Sequence, residues 1–328
     1  MKYTLNKTPI RTTNNFKIND ISVDINYNET DFNKYKVNCS YSEEIKNNFD
    51  SKIGLSHEKY LLLNTDIKED NVDIEYNFDD NNYLVSEIIL NINTNSNVII
   101  NFNSNIESFL NLKIVINTIN KVKGNITLIN NLNDDSTSLI SFENNINNDS
   151  KIILNYIDIT GSKRISNIYS TINDDSSFEL NNIYLGRNND LIDMNYYSDN
   201  IGKRSKSNMN IYGVLKDESK KSIKFTIDFK KDSKKSIGKE KENVLLLSSK
   251  VVSKSCPIIL CNEEDVYGTH SVSSGKIDKD KLFYLMSRGI SNEEAIKMIV
   301  FSNFNKVVKK INNEKMEKLV YEKLEKII

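Results

Sequence analysis

Short apolar runs separated by polar residues dominate the chain between Ser86 and Leu260. The runs are rich in Ile, Val, Leu, Phe and Tyr, and they begin roughly every eleven to sixteen residues. Strands at such regular spacing predict a solenoid, a sandwich or a barrel. No proline interrupts the runs that begin between Asn97 and Ser222, and Asn-Gly hairpin dipeptides are scarce. The pattern therefore favours a solenoid built coil by coil over a sandwich built from hairpins.

In such a solenoid each coil buries one inward row of Ile, Val, Leu and Phe against its neighbours, and we expect Asn side chains to stack in ladders at the turns. Residues 1–85 are less regular, and we interpret them as an accessory or capping segment. Alternating runs at Ile21–Ile25 and Tyr60–Leu63 predict strands, and a short helix is predicted near Glu43–Asn48. His57 lies alone in this segment and is interpreted as a surface or hydrogen-bonded histidine.

The stretch from Glu264 to Gly289 joins this β-rich part to a helical tail. Small residues on both sides of His270, one of only two histidines, predict a loop after a strand that ends near Val266. Asp278 is placed to cap a helix that stops at Gly289. The apolar positions of that helix share one face; they are Leu282, Phe283, Leu285 and Met286.

The tail continues with a capping box formed by Ser291 and Glu294, an apolar stripe that runs to Ile311, and a further helix over Glu314–Ile327. Two interpretations stay open. The tail packs on the end of the solenoid and covers its open edge, or it provides a docking surface for another protein. The chain is thus divided into an N-terminal segment (1–85), a β-helix core (86–277) and a C-terminal helical domain (278–328).

Composition limits the possible partners. The chain has 328 residues and a formal net charge of −1, which gives no general attraction to nucleic acid or to an anionic membrane. No apolar run approaches the roughly 18 residues of a membrane helix, and the first residues lack the apolar core of a signal peptide. The three cysteines, Cys39, Cys256 and Cys261, are too sparse for a disulfide framework. We therefore expect a cytoplasmic protein whose partners are proteins or small species.

The sequence carries no catalytic motif of its own. It has no Walker-type phosphate loop, no Cys/His group at metal-binding spacing and no nucleophile elbow, so we do not expect an enzyme. The basic window Lys203–Lys241 includes the pairs at 220–221, 230–231 and 234–235, and its lysines alternate with an apolar series from Ile223 to Phe229. We interpret these lysines as the solvated side of a strand. Taken by itself, His270 is more typical of a structural histidine than of a ligand.

Several motifs resemble the SufB/SufD family of iron–sulfur cluster assembly proteins. The most specific is Leu-Phe-Tyr-Leu-Met-Ser-Arg-Gly-Ile at 282–290, which is similar to the closing segment of that family. Further segments that are similar to the family stand at matching intervals upstream: Tyr212–Leu215, Ser222 with Phe225, Leu245–Ser248, Pro257 and Gly275–Asp278. The resemblance therefore covers roughly the last 150 residues.

The resemblance implies a mainly β protein, with a right-handed parallel β-helix as core and a C-terminal α-helical tail. In the family two paralogous β-helix proteins pair, each binds a copy of the ATPase SufC through its tail, and a transient iron–sulfur cluster assembles at their interface. The B type has a cysteine on a late strand and a Glu after its His. Here His270 is kept, Ser271 replaces that Glu, and an ungapped count back from Leu245 puts Glu242 at the cysteine position. These departures imply a D-like subunit.

The implied interface residues are therefore His270, Glu242 and Ser271, with His270 as an iron ligand shared with the partner chain, because one histidine cannot hold a cluster. No cluster is expected to be bound stably by this chain alone. The residues implied in docking a SufC-like ATPase are Leu282, Phe283, Met286, Arg288, Ile299 and Phe304.

Two alternatives stay open. The second solenoid is either a SufB-like paralogue or another copy of this chain. The rival hypothesis is a β-solenoid binding module for carbohydrate or protein with no role in cluster assembly. Because the acidic residues lie mainly in turns, a polysaccharide-cleaving site is disfavoured. Co-purification with an ABC-type ATPase separates the two functions.

Overall fold

The computed structural model of the chain describes residues 2–8, 20–25, 36–38, 41–77 and 82–328. Cys39 lies outside the described residues. The strands are β1 (Lys2–Leu5), β2 (Ile21–Asp24), β3 (Lys36–Asn38), β4 (Glu43–Phe49), β5 (His57–Ile67), β6 (Asn71–Asn77), β7 (Tyr83–Ile92), β8 (Ser96–Asn103), β9 (Phe109–Thr118), β10 (Lys123–Asn131), β11 (Thr137–Ile146), β12 (Lys151–Asp158), β13 (Lys163–Ile172), β14 (Ser177–Gly186), β15 (Leu191–Asn200), β16 (Lys206–Leu215), β17 (Lys220–Phe229), β18 (Ser236–Leu246), β19 (Val252–Cys261) and β20 (Val266–Lys276). The helices are α1 (Lys279–Ser287), α2 (Asn292–Val308) and α3 (Glu314–Ile327).

Two nine-stranded sheets form the body of the protein. The front sheet contains β3, β6 and the even-numbered strands from β8 to β20, and the back sheet contains β4, β5 and the odd-numbered strands from β7 to β19. The strands from β5 to β20 pair with one another in parallel, whereas β3 and β4 pair antiparallel with β6 and β5. Successive pairs of strands make about eight turns. The predicted parallel β-solenoid is therefore confirmed. One turn contains 25 residues where Leu61 lies opposite Ser86, and 32 residues where Lys220 lies opposite Val252. Because apolar runs recur every eleven to sixteen residues, each run corresponds to half a turn.

The core lies between the sheets, where inward side chains of successive turns stack on one another in rows of Val, Ile, Leu, Met and Phe. Hydrogen-bonded asparagine ladders are also present, both along strand faces and at the strand ends that border the turns. One ladder links Asn125 to Asn97, Asn155 to Asn125 and Asn181 to Asn155 across the front sheet, with donor–acceptor distances of 2.7, 2.8 and 3.2 Å. A second ladder links Asn103 to Asn77 and Asn131 to Asn103 at 3.2 and 2.9 Å, at the last residues of β6, β8 and β10, so ladders also occur next to the turns as expected.

The N-terminal segment covers part of the outer face of the back sheet. Leu5 and Asn6 are buried, and the Asn6 amide donates to Asp193 Oδ1 at 2.6 Å and to the Ser166 carbonyl at 3.2 Å. Lys224 donates to Asp193 at 3.0 Å, so this segment covers a buried ion pair. The predicted helix near Glu43–Asn48 was wrong, because this stretch is β4, which pairs antiparallel with β5. The strands predicted at Ile21–Ile25 and Tyr60–Leu63 are present as β2 and part of β5.

The three helices follow the last turn, and the first two have the predicted caps. Asp278 caps α1, Ser291 and Glu294 form the capping box of α2, and Gly289 has the positive φ of 86° that favours glycine after a helix. Helices α2 and α3 pack on the outer face of the front sheet, where Val300, Phe304 and other apolar residues meet Ile157, Ile183 and their neighbours. The tail therefore packs on a flat face of the solenoid and leaves its last turn uncovered. No helix in the described ranges is long and apolar enough to cross a membrane.

Candidate functional site

His270 lies on β20, the last strand of the front sheet. The predicted loop around it was wrong, because residues 266–276 form a continuous parallel ladder with β18. A Cβ placed on Gly268, two residues earlier, would face Ile259 and Phe229 of the interior. His270 therefore points to the inner side of the last turn, since side chains on a strand alternate. In the described part of the chain no further turn covers it, and its imidazole is exposed.

Ser271 points the opposite way. As the next residue on the same strand it lies on the outer face of the front sheet, where it lines a shallow polar cavity with Glu179, Lys239 and Lys241. The structure thus does not bring the hydroxyl of Ser271 to the same side as the imidazole of His270.

Glu242 is buried one rung below the last turn, opposite Val272 of β20. Its Oε1 accepts a hydrogen bond from Lys221 Nζ at 2.6 Å and another from the Tyr184 hydroxyl at 2.9 Å. Lys221 also donates to Ser255 Oγ at 2.8 Å. Burial lowers the pKa of Lys221, and the nearby carboxylate opposes that shift. Glu242 thus lies near the predicted interface but belongs to an internal ion pair.

Glu240 was not predicted, although it lies directly opposite His270 in the ladder. It is only 2% exposed, and no side chain donates a hydrogen bond to either carboxyl oxygen. Burial raises the pKa of Glu240 to about 9, although the nearby backbone N–H groups of Ile227 and Ile258 act in the opposite direction. The carboxyl is therefore protonated and neutral at pH 7 in this environment.

Side chains on a strand alternate between the two faces of the sheet, and this alternation on β17 and β18 could have shown that Glu240, Glu242 and Lys221 point inward. Glu240 and Glu242 share the even, inward positions of β18 with Gly238 and Val244. Lys221 shares the odd, inward positions of β17 with Ile223. The interpretation of Lys221 as a solvated residue was wrong for this reason.

The cysteines of the last turn are free. Cys256 lies opposite Lys224 and points outward, whereas Cys261 lies opposite the core residue Phe229 and points inward. Burial raises the pKa of the Cys256 thiol. Among the described residues no group of three or more His, Cys, Asp or Glu side chains is arranged to hold a metal ion.

Helix α1 presents the uncovered apolar surface of the tail. None of its residues is buried, and Phe283 and Met286 are 74% and 45% exposed. Leu282 is half-buried, and the Arg288 guanidinium lies 5.0 Å from the centre of the Tyr284 ring. These predicted docking residues are accessible to a partner.

A cleft separates α1 from α2 and β18. Its apolar lining consists of Leu245, Tyr284, Leu285, Met298 and Ile299. Phe304, by contrast, is fully buried against the front sheet. Its place among the docking residues was wrong, because it shares a helix face with Val300, Val307 and Val308, all of which pack inward.

Residues 78–303, more than two thirds of the chain, match the family described as SUF system FeS cluster assembly, SufBD core domain. Over 167 residues the chain is 28% identical to the iron-sulfur cluster assembly protein SufD of Bacillus subtilis, which covers 51% of this chain and 38% of that protein. It is 30% identical over 140 residues to a SufBD family protein of Pyrococcus horikoshii, covering 43% and 31% of the two chains. The matched part thus spans less than half the length of either relative. With a parallel solenoid, a terminal histidine strand and a helical tail, the chain belongs to the SufB/SufD family and is SufD-like.

Proposed function

We propose that this chain is a non-catalytic SufD-like subunit of a Suf-type cluster assembly complex, and that it pairs with a second solenoid through its open end. The open end consists of β19 and β20, the outermost strands of the back and front sheets. Their uncovered edges are 10 and 11 residues long. Exposed edges of this length are templates for pairing with another chain, and proteins normally cover, shorten or charge them.

The open end is the observation that carries the proposal. Because α2 and α3 lie on the front face, they leave both edges free, and His270 is exposed between them. A second solenoid with a similar end, from a SufB-like paralogue or another copy of this chain, would continue both sheets. A cluster is usually held by thiolates, so the partner would supply the soft ligands that this end lacks, and His270 would supply an imidazole.

The tail provides the second proposed contact, with a SufC-like ATPase. Phe283 and Met286 project from α1 beside the apolar cleft between α1 and α2. Burying side chains of this kind stabilises an interface by about 1.5–3 kcal/mol each. Movement of a docked ATPase would be transmitted through α1 to β20, since only Ile277 and Asp278 separate them.

The pairing test is co-expression of this chain with the SufB-like paralogue and the ATPase of the same genome. Val272 is 40% exposed at the open end, so Val272→Glu should leave the fold intact and place a charge between the paired sheets. We expect the variant to melt as the wild type does but to lose the second solenoid in size-exclusion chromatography. Retention of the pair by the folded variant would contradict pairing through this end.

The docking test uses Phe283→Ala with Met286→Ala. The matched control is Ile119→Ala, because Ile119 is likewise exposed, at 49%, but lies at a corner of the solenoid. We expect only the double variant to lose the ATPase in a pull-down. Binding of a glycan by a chain that captures neither the ATPase nor a second solenoid would favour the alternative of a carbohydrate-binding module.

A further inference from the structure

One inward row of the front sheet changes its chemistry at the open end. Going from turn to turn, six apolar side chains occupy this row, and a carboxyl and an imidazole follow them. The row consists of Val72, Val98, Ile126, Leu154, Leu180, Met209, Glu240 and His270. In this packed row the side chain that follows Met209 is therefore an acid, Glu240.

Packing does not account for this acid. Glu242, two residues later, has Lys221 and Tyr184 as partners for its carboxylate. Glu240 is buried to the same degree, yet no side chain pairs with its carboxyl, and only the backbone N–H groups of Ile227 and Ile258 lie near it. A buried carboxyl group without a cation beside it costs free energy, and its ionised form costs far more. An apolar residue at position 240 would be the more stable choice, so the carboxyl indicates a role toward a ligand.

The neighbouring group identifies the class of ligand. Residues opposite each other on adjacent strands are about 4.8 Å apart, so rotation about the side-chain bonds of Glu240 can bring its carboxylate toward the imidazole of His270. A carboxylate and an imidazole together suit divalent first-row transition metals such as iron. We propose that Glu240 and His270 jointly bind one divalent transition-metal ion at the open end of the solenoid.

The ion would supply the positive charge that Glu240 lacks in the metal-free chain. Since the described residues offer no third His, Cys, Asp or Glu in the group, water or a partner chain completes the coordination. Iron as the physiological ion rests on the proposed function in cluster assembly, whereas binding by the two residues does not. The site can therefore be tested on the isolated chain.

The experiment is a calorimetric titration of the full chain with Co²⁺, repeated with Fe²⁺ under anaerobic conditions. We expect the wild type to bind one ion per chain and to gain thermal stability from it, because a ligand of the native state raises the melting temperature. Glu240→Gln and His270→Ala should each weaken binding at least about tenfold, a loss of about 1.4 kcal/mol. The control Cys261→Ser changes a potential ligand on the facing strand and should bind as the wild type does.

A second variant, Glu240→Met, protects the test from a folding artefact. It continues the apolar row above Met209, so we expect it to melt at a higher temperature than the metal-free wild type while failing to bind the ion. The proposal is overturned if the wild type binds no ion, if Glu240→Gln binds normally, or if Cys261→Ser abolishes binding. Loss of metal binding by Glu240→Met in a chain that still captures its partners would support the site, whereas failure to capture any partner would affect only the proposed function.

Discussion

The buried pair of Lys221 and Glu242 allows a quantitative test of the interior chemistry. Both side chains are 0% exposed, and their charged atoms are 2.6 Å apart. Lys221→Met removes the cation and leaves the carboxylate with only the hydroxyl of Tyr184. Breaking a buried pair on one side costs about 3–5 kcal/mol, whereas replacing both partners by apolar residues is often neutral or stabilising. We therefore expect a loss of about 3–5 kcal/mol for Lys221→Met and recovery to within about 1 kcal/mol when Glu242→Leu is added.

Urea unfolding followed by far-ultraviolet circular dichroism measures these differences, and the chain has no tryptophan to report on unfolding by fluorescence. The matched control is Lys250→Met, because Lys250 and Glu218 are also 2.6 Å apart but 71% and 53% exposed. An exposed pair of this kind contributes about 0–1 kcal/mol. The reasoning is refuted if the two single variants are equally mild, or if adding Glu242→Leu deepens the loss caused by Lys221→Met.

Two further predictions concern burial elsewhere. Burial lowers the pKa of His57 to about 4 from its ordinary value of 6.5. As the pH falls, the unfolded chain therefore binds a proton at His57 before the folded chain does. The contribution of neutral His57 to the free energy of unfolding is complete above pH 6.5 and is lost as the pH falls toward 4. His57→Phe, which keeps an aromatic ring beside Phe49, should flatten this dependence in urea titrations at pH 7 and pH 4.5, and an unchanged slope would contradict the assignment. Phe304→Ala should cost about 3–5 kcal/mol in thermal or urea unfolding, whereas Phe283→Ala should cost almost nothing, and equal losses would refute the observed packing of the tail.

Regular patterns in the sequence predicted the body of the fold and the tail. The spacing of apolar runs predicted the solenoid, and capping residues such as Asp278 and Ser291 predicted the helix starts, because both signals are local. The helix predicted around Glu43 was wrong because a short polar stretch has no clear hydrophobic period. Its strand conformation comes from antiparallel pairing with β5, a tertiary effect.

The candidate site was predicted only in part. The family resemblance identified His270, but composition alone suggested a loop around it, since small residues such as Ser273 and Gly275 also occur on an edge strand. Glu240 and Lys221 were missed because charged residues are usually exposed. Their side of the strand depends on the register between turns, and turns of 25 to 32 residues conceal that register in the sequence.

Asn6 contacts Ser166 and Asp193, which lie 160 and 187 positions further along the chain. A solenoid otherwise holds together through contacts between neighbouring turns, so it can fray from either end. A segment that bridges several turns suppresses such fraying, because β13 and β15 cannot separate without also releasing Asn6. This contact forms only after the strands it covers have been synthesised, so Leu5 and Asn6 stay uncovered during most of the growth of the chain. The N-terminal segment therefore docks late in synthesis. Once docked, it makes the stability of the middle turns depend on residues that are far from them in sequence.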